Sequence, residues 1–265
     1  PYDRLIQLCD SLGVPDGFCT REKRLVDVAL RDGFNPYTRQ NWDALDALHT
    51  TAFSHDRVMI LEVMGRNAGW LALEGGISGS ADVILIPEIP YDIKKVAAKV
   101  IERYDRGSKF SIICISEGAR PVDGDVTVKK IVEDSPDAIR FGGAGEQLAL
   151  LLEKFVSPIT GQEVRSTNLG YIQRGGVTNA FDRVLSTRYG SFAVDMVANG
   201  DYAKMVAIKN NKMVPVDIVD VVGSGMMGET SHGGAKVREY VTINCGSPRG
   251  DLVTAAKCIG VSFGD

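Results

Sequence analysis

Residues Ser54 to Leu73 read SHDRVMILEVMGRNAGWLAL, and this stretch decides the fold. Val58 to Val63 is a short run of aliphatic and β-branched residues carrying one acid, Glu62. Its length and composition predict a strand buried on both faces rather than a helix. The run ends abruptly in Met64-Gly65-Arg66-Asn67-Ala68-Gly69. In an open α/β sheet, ligands bind outside the carboxyl ends of the strands. An arginine between glycines at such an end offers a forked donor to an anion, because glycine lets the backbone come close. Arg57 lies at the other end of the same strand, roughly 20–30 Å away at the rise of an extended chain. One small ligand in one monomer can hardly use both arginines. Arg57 is therefore either structural or serves a site in a neighbouring subunit.

Outward from this strand the pattern repeats. Trp70 to Ile77 reads as a helix and Ala81 to Pro87 (ADVILIP) as a second buried strand. Asp92 to Arg106 is an amphipathic helix, and Lys109 to Ile115 (KFSIICI) is a third strand ending in Ser116-Glu117-Gly118. Ala144 to Val156 predicts a helix, Glu163 to Ile172 (EVRSTNLGYI) a strand ending in Gln173-Arg174-Gly175-Gly176, and Asn179 to Asn199 a long helix. Strands alternating with helices give an α/β fold, a doubly wound, mostly parallel sheet with helices on both faces. Tyr202 to Ile208 and Met213 to Val222 are expected as a strand pair closing that sheet. Before the first strand, Asn41 is expected to cap a helix carrying Trp42, Leu45, Leu48 and Ala52 on one stripe. Residues 118 to 143 read as an exposed connection or lid, and 223 to 248 as loop. Leu5 to Leu8 and Leu25 to Leu30 suggest two short helices. The expected organisation is an unplaced segment 1–40, an α/β ligand-binding domain 41–222, and a Gly-rich loop with a C-terminal helix, 223–265, packing back on that domain.

The totals narrow the function. The chain has 265 residues, 30 Lys plus Arg against 34 Asp plus Glu, and a net charge of −4. That balance argues against a broad nucleic-acid surface, so any phosphate site must be a local arginine cluster. Five scattered cysteines without C-x-x-C, and three histidines, argue against zinc and fit a reducing, cytoplasmic compartment. No run approaches the length of a membrane-spanning helix. The chain starts at Pro1, which suggests a processed or truncated start. A literal G-x-G-x-x-G at Gly223 to Gly228 is followed by Ser231-His232-Gly233-Gly234, which cannot carry the apolar helix a dinucleotide site needs. Gly142-Gly143-Ala144-Gly145 opens a helix whose amides could hold an anion, but lacks the Walker lysine, so a glycine cap is the better reading.

Three strand ends carry the candidate chemistry: Met64-Gly65-Arg66, Glu117-Gly118 and Tyr171-Ile172-Gln173-Arg174. Any one of them would pass for a solvated strand end. Two arginines next to glycine and one carboxylate, on parallel strands, suit a sugar phosphate. Arginines grip phosphate with charge-assisted bonds, and a carboxylate accepts hydroxyl protons. Arg165 resembles Arg57 in lying at the start of its strand, which hints at a shared intersubunit site.

These stretches, together with LHTTAFSHDRVMILEVMGRNAGWLAL (48–73), ADVILIPEIPYDI (81–93), ISEGA (115–119), EVRSTNLGYIQRGG (163–176), TNAFDR (178–183) and LVTAAKCIGVSFGD (252–265), resemble the 6-phosphofructokinase family. They are most similar to the branch whose members use ATP or pyrophosphate. The resemblance implies that Met64, Gly65 and Arg66 touch fructose 6-phosphate and that Arg66 stabilises the transferring phosphoryl group. It implies that Glu117 binds sugar hydroxyls and that Tyr171, Ile172, Gln173 and Arg174 hold the sugar and its 6-phosphate. Arg57 and Arg165 would reach the 6-phosphate of an adjacent subunit in a homodimer or homotetramer. Mg²⁺ would accompany the donor. Two family motifs are absent from these 265 residues: the Gly-rich GG-D-x-x donor pattern and the TIDND-type run that supplies the general base. The expectation is phosphoryl transfer to the 1-hydroxyl of fructose 6-phosphate in glycolysis, with a non-catalytic sugar-phosphate-binding or assembly subunit as the alternative.

Overall fold

The computed structural model describes residues 13–14, 17–18, 36–131, 139–178, 180–218, 228–232, 235–239 and 251–265. They fall into two units. One is Pro1–Thr127 with Gly142–Arg174 and Asn244–Asp265; the other is Val128–Phe141 with Gly175–Ile243.

In chain order the first unit holds a two-residue pair β1 (Gly13–Val14) and β2 (Gly17–Phe18), α1 (Pro36–His55), β3 (Val58–Val63), α2 (Trp70–Ser78), β4 (Val83–Leu85), α3 (Ile93–Asp105) and β5 (Ser111–Ser116). The second unit contributes the hairpin β6 (Val128–Ile131) and β7 (Ile139–Phe141). The chain returns to the first unit for α4 (Ala144–Thr160) and β8 (Val164–Asn168).

The four long-range strands β4, β5, β3 and β8 form one parallel sheet in that order. Every residue of β3 and of β5 is buried. Alternation along the strands explains this, because successive side chains point to opposite faces. Met59, Leu61 and Val63 pack with Leu45 of α1 and Leu73 of α2. Val58 and Ile60 face the other way, against Val96 and Val100 of α3 and Leu148 and Leu152 of α4. Helices on both faces of a parallel sheet are the expected doubly wound arrangement. The last helix, here α6 (Asp251–Cys258; α5 follows below), adds Val253 and Ala256 to the first face. After it, Ser262 runs beside Val83, with Ile84 N–H donating to the Ser262 carbonyl at 2.9 Å.

Several local expectations are corrected. Asn41 does not cap α1. The helix starts at Pro36, whose fixed φ and missing N–H suit a first turn, and Asn41 lies inside it, fully buried. The strand expected over 163–172 stops at Asn168. Gly170, at φ 49°, then turns the chain into a 3₁₀ turn, Gly170–Arg174. In the second unit α5 (Ala180–Ala198) precedes β9 (Lys204–Lys209) and β10 (Lys212–Asp217). This pair does not extend the parallel sheet but forms an antiparallel sheet of its own. Asn210 and Asn211, at φ 50° and 60°, make its two-residue turn, where asparagine tolerates the left-handed region that such a hairpin demands. The end of the expected strand, 219–222, lies outside the described residues. The stretch read as loop over 223–248 contains a hairpin, β11 (Gly228–His232) and β12 (Ala235–Glu239). A strand, not a helix, therefore follows the glycine motif. The helices expected near Leu5 and Leu25 also lie outside the described residues. Among the described residues, no helix is long and apolar enough to cross a membrane.

Candidate functional site at the carboxyl ends of three parallel strands

β3 lies between β5 and β8, so its carboxyl end is flanked by both neighbouring strand ends. The three successive backbone N–H groups that follow it are each taken by a side chain from those ends. Met64 N–H donates to Gln173 Oε1 at 2.7 Å. Gly65 N–H and Arg66 N–H donate to the same Glu117 oxygen, Oε1, at 3.3 and 3.2 Å. Glu117 N–H returns a bond to the Val63 carbonyl at 2.9 Å. The turn is sharp: Gly65 sits at φ 145° and Arg66 at 52°, a left-handed conformation unusual for a residue with a Cβ.

Gly118 explains how the strands come so close. A Cβ there would stand 1.6 Å from the Arg66 carbonyl oxygen. The clash is with backbone, so Gly118→Ala must displace the whole turn. An expected destabilisation of about 1–3 kcal/mol, measured by urea unfolding, accompanies loss of whatever this turn binds; an unperturbed variant would contradict the close approach.

Glu117 is half-buried, and burial pushes its carboxyl up from the ordinary value of 4.5. The amides of Arg66 and Gly65 pull it back, Glu62 adds to the rise, and the Arg174 guanidinium opposes it. Arg174 therefore acts electrostatically on the same carboxylate that holds the Arg66 turn. Its guanidinium also lies 5.8 Å from the centroid of the Tyr171 ring, a cation–π distance. Tyr171 and Ile172 are exposed beside it. Because the folded carboxyl keeps its proton to higher pH than the unfolded one, the folded state binds more protons in that window. Stability thus falls as pH rises from the ordinary glutamate range through the folded value. Unfolding titrations should show a shallower slope in Glu117→Gln than in the parent, with the burial-raised Asp82 carboxyl keeping part of it; identical slopes would contradict it.

Beneath the turn, Glu62 is 2% exposed. Its Oε1 accepts from Gly143 N–H at 3.0 Å and Asn168 Nδ2 at 2.6 Å, and its Oε2 from Gly145 N–H at 2.8 Å. The glycine loop at the start of α4 does bind an anion through its amides, and that anion is the chain's own carboxylate. The lone acid in the apolar run was the visible signal, since a buried carboxylate needs partners. Its partners, like Asn41, were not legible.

The structure places the other candidates apart from this cluster. Arg57 and Arg165 sit at the opposite end of β3 and β8, about 20 Å away at the rise of six strand residues. Both pair with one carboxylate: Arg57 Nε is 2.9 Å and Arg165 Nη2 3.3 Å from Glu163 Oε2. Arg165, then Arg57, hold that exposed carboxyl below its ordinary value. The structure thus brings together Met64, Gly65, Arg66, Glu117, Gln173 and Arg174 at one end and Arg57 with Arg165 at the other. Gln173 differs from its neighbours in being buried. Among the described residues, no group of three or more His, Cys, Asp or Glu could hold a metal ion.

Residues 28–197 match the phosphofructokinase family. Over 254 residues the chain is 49% identical to an ATP-dependent 6-phosphofructokinase 2 of Clostridium perfringens, covering 96% of this chain and 63% of that protein. Over 219 residues it is 44% identical to a pyrophosphate–fructose 6-phosphate 1-phosphotransferase of Streptomyces coelicolor, covering 81% and 62%. The chain thus spans somewhat under two thirds of the length of these relatives. Its fold matches the structure of phosphofructokinase from Saccharomyces cerevisiae with a TM-score of 0.53 and 27% identity over 70% of this chain and 23% of that one. A pyrophosphate-dependent phosphofructokinase from Nitrosospira multiformis, 21% identical, shares the fold with a TM-score of 0.56 over 86% of this chain and 54% of that one. The chain, with its strand ends tied together by Glu117 and Gln173, belongs to the phosphofructokinase family.

Proposed function

We propose that this chain carries the sugar-phosphate half of a glycolytic, cytoplasmic phosphofructokinase reaction. In that reaction a phosphoryl group passes from ATP or pyrophosphate to the 1-hydroxyl of fructose 6-phosphate, giving fructose 1,6-bisphosphate. The observation that carries the reading is the convergence of the three strand ends. Glu117 holds the Arg66 turn through Oε1 and, among the described residues, leaves Oε2 to accept a sugar hydroxyl. Arg174, beside it, suits the 6-phosphate, and Arg66 the charge that develops on the transferring phosphoryl group. Tyr171 packs against the sugar. Phosphoryl transfer depends on positioning and charge stabilisation, and these residues supply the acceptor side of both. Mg²⁺, which would neutralise donor phosphate charge, has its ligands elsewhere.

A second reading rests on the same observation: strand ends that bind a sugar phosphate also suit a non-catalytic sugar-phosphate-binding or assembly subunit that works with a partner chain. One assay separates the two: formation of fructose 1,6-bisphosphate from fructose 6-phosphate by the purified chain, with ATP and with pyrophosphate in parallel. Turnover supports the first reading and names the donor. Binding of fructose 6-phosphate without turnover supports the second. Neither binding nor turnover by folded protein rejects both.

Arg57 and Arg165 are assigned to the 6-phosphate of a neighbouring subunit in a homodimer or homotetramer, because they lie too far from Arg66 to share its ligand. Arg174→Ala and Arg165→Ala each spoil one side of every such site. Mixing the two variants leaves one intact site in each mixed pair. High-affinity fructose 6-phosphate sites should therefore reappear at about a quarter of the parent number after random exchange. No recovery, with exchange confirmed, would contradict the shared site.

A further inference from the structure

We propose that Asn41 and Gln173 are positioning residues that fix the separation of the two arginine-bearing turns, acting through the Met64 N–H. The proposal deepens the sugar-phosphate reading and rests on it for the ligand concerned. Gln173 lies in the 3₁₀ turn between Tyr171 and Arg174, yet its side chain is turned inward and the residue is 1% exposed. It cannot present its amide to a ligand as its neighbours do. Instead Oε1 accepts from Met64 N–H at 2.7 Å, and Nε2 donates to Asn41 Oδ1 at 2.5 Å, across 132 residues of sequence. Asn41 Nδ2 in turn donates to the Leu71 carbonyl of α2 at 3.1 Å.

The chain of bonds has one direction. Met64 N–H can only donate and the Leu71 carbonyl can only accept, so both side-chain amides between them are fixed in orientation. One end grips the first residue of the Met64-Gly65-Arg66 turn. The middle belongs to the turn that carries Arg174. The other end is anchored in α1 and α2, which pack on the sheet. The Arg66 and Arg174 turns thus meet at the Gln173–Met64 bond, and Asn41 ties that bond, as a strut, to α1 and α2. A second feature shows that the strut is built in. Gly75, inside α2, leaves room for Asn41: a Cβ there would lie 2.7 Å from the Asn41 Cβ. A glycine within a helix is unfavourable, so its presence here has a packing reason.

Asn41 is fully buried, so its replacement tests the strut without touching a ligand. In Asn41→Leu, amide hydrogen exchange over residues 64–66 should accelerate about tenfold in the free protein, with β5 unchanged. Affinity for fructose 6-phosphate, which needs both turns, should fall about tenfold, while affinity for inorganic phosphate, which needs one arginine, stays within about twofold. Unchanged exchange, or an equal loss for both ligands, would overturn the proposal. If Asn41→Leu does not fold, Gln173→Met, a flexible near-isostere, takes the same measurements. If the parent protein binds neither ligand, the sugar-phosphate reading fails, and the exchange result alone still decides whether the strut holds the Met64 turn.

Discussion

Glu62→Ala is expected to lower the unfolding free energy by about 3–5 kcal/mol, the largest stability loss of any single replacement around the site. The carboxylate sits in the middle strand of the parallel sheet and is almost wholly buried. It serves three donors: the amides of Gly143 and Gly145 and the side chain of Asn168. Removing it leaves all three without their acceptor in a place water does not readily reach, and a buried donor left unmade costs more than a bond gains. The start of α4 also loses the negative charge that its first amides face. Glu62→Gln should fall between parent and Glu62→Ala, because its carbonyl keeps part of the bonding while its NH₂ meets another donor. Urea unfolding followed by circular dichroism gives the comparison. A loss below about 1 kcal/mol in Glu62→Ala would show that the bonds do not hold the strand ends together.

Arg66→Ala has the largest expected effect on function. In whichever assembly proves competent, turnover should drop by about 10²–10³, with the melting temperature little changed. Stability survives because the bond to Glu117 runs through the Arg66 backbone N–H, which alanine retains. The left-handed φ of 52° is no worse for alanine than for arginine. Arg66→Lys should recover part of the loss only, since an ammonium keeps the charge and lacks the fork. Steady-state kinetics distinguish the roles. A fall in kcat marks an interaction made with the transferring phosphoryl group, whereas a rise in KM alone marks one made with bound sugar phosphate. A fully active Arg66→Ala would remove Arg66 from the catalytic account.

The sequence carried the architecture because the strands are buried on both faces. Runs such as Val58 to Val63 and Ser111 to Ser116 leave little choice of secondary structure, and the intervening amphipathic helices force a parallel order. The turn residues were legible for the same reason, since glycines and arginines at strand ends stand out against apolar runs. What stayed hidden depends on contacts between residues far apart in the chain. Glu62 was conspicuous, but its acceptors' partners lie 81 to 106 positions away. Asn41 looked like a cap because asparagine favours that position, and Pro36, the true start, sits in a stretch that composition marks as loop. Gln173 stands beside Tyr171 and Arg174 at one strand end in the sequence, but the 3₁₀ turn after Gly170 leaves it buried while they are exposed. Asn210-Asn211 was a readable hairpin signal. Two left-handed residues between strands pair β9 with β10 as an antiparallel hairpin.

The carboxyl ends of β3, β5 and β8 are proposed to bind fructose 6-phosphate. Calorimetric titration of the purified chain with that sugar phosphate, beside Glu117→Gln and Arg174→Ala, tests this proposal most directly. Saturable binding by the parent is expected, weakened by at least about tenfold in each variant, in line with the loss of a charge-assisted bond. Absence of binding by the folded parent, or equal affinity in all three proteins, would contradict it.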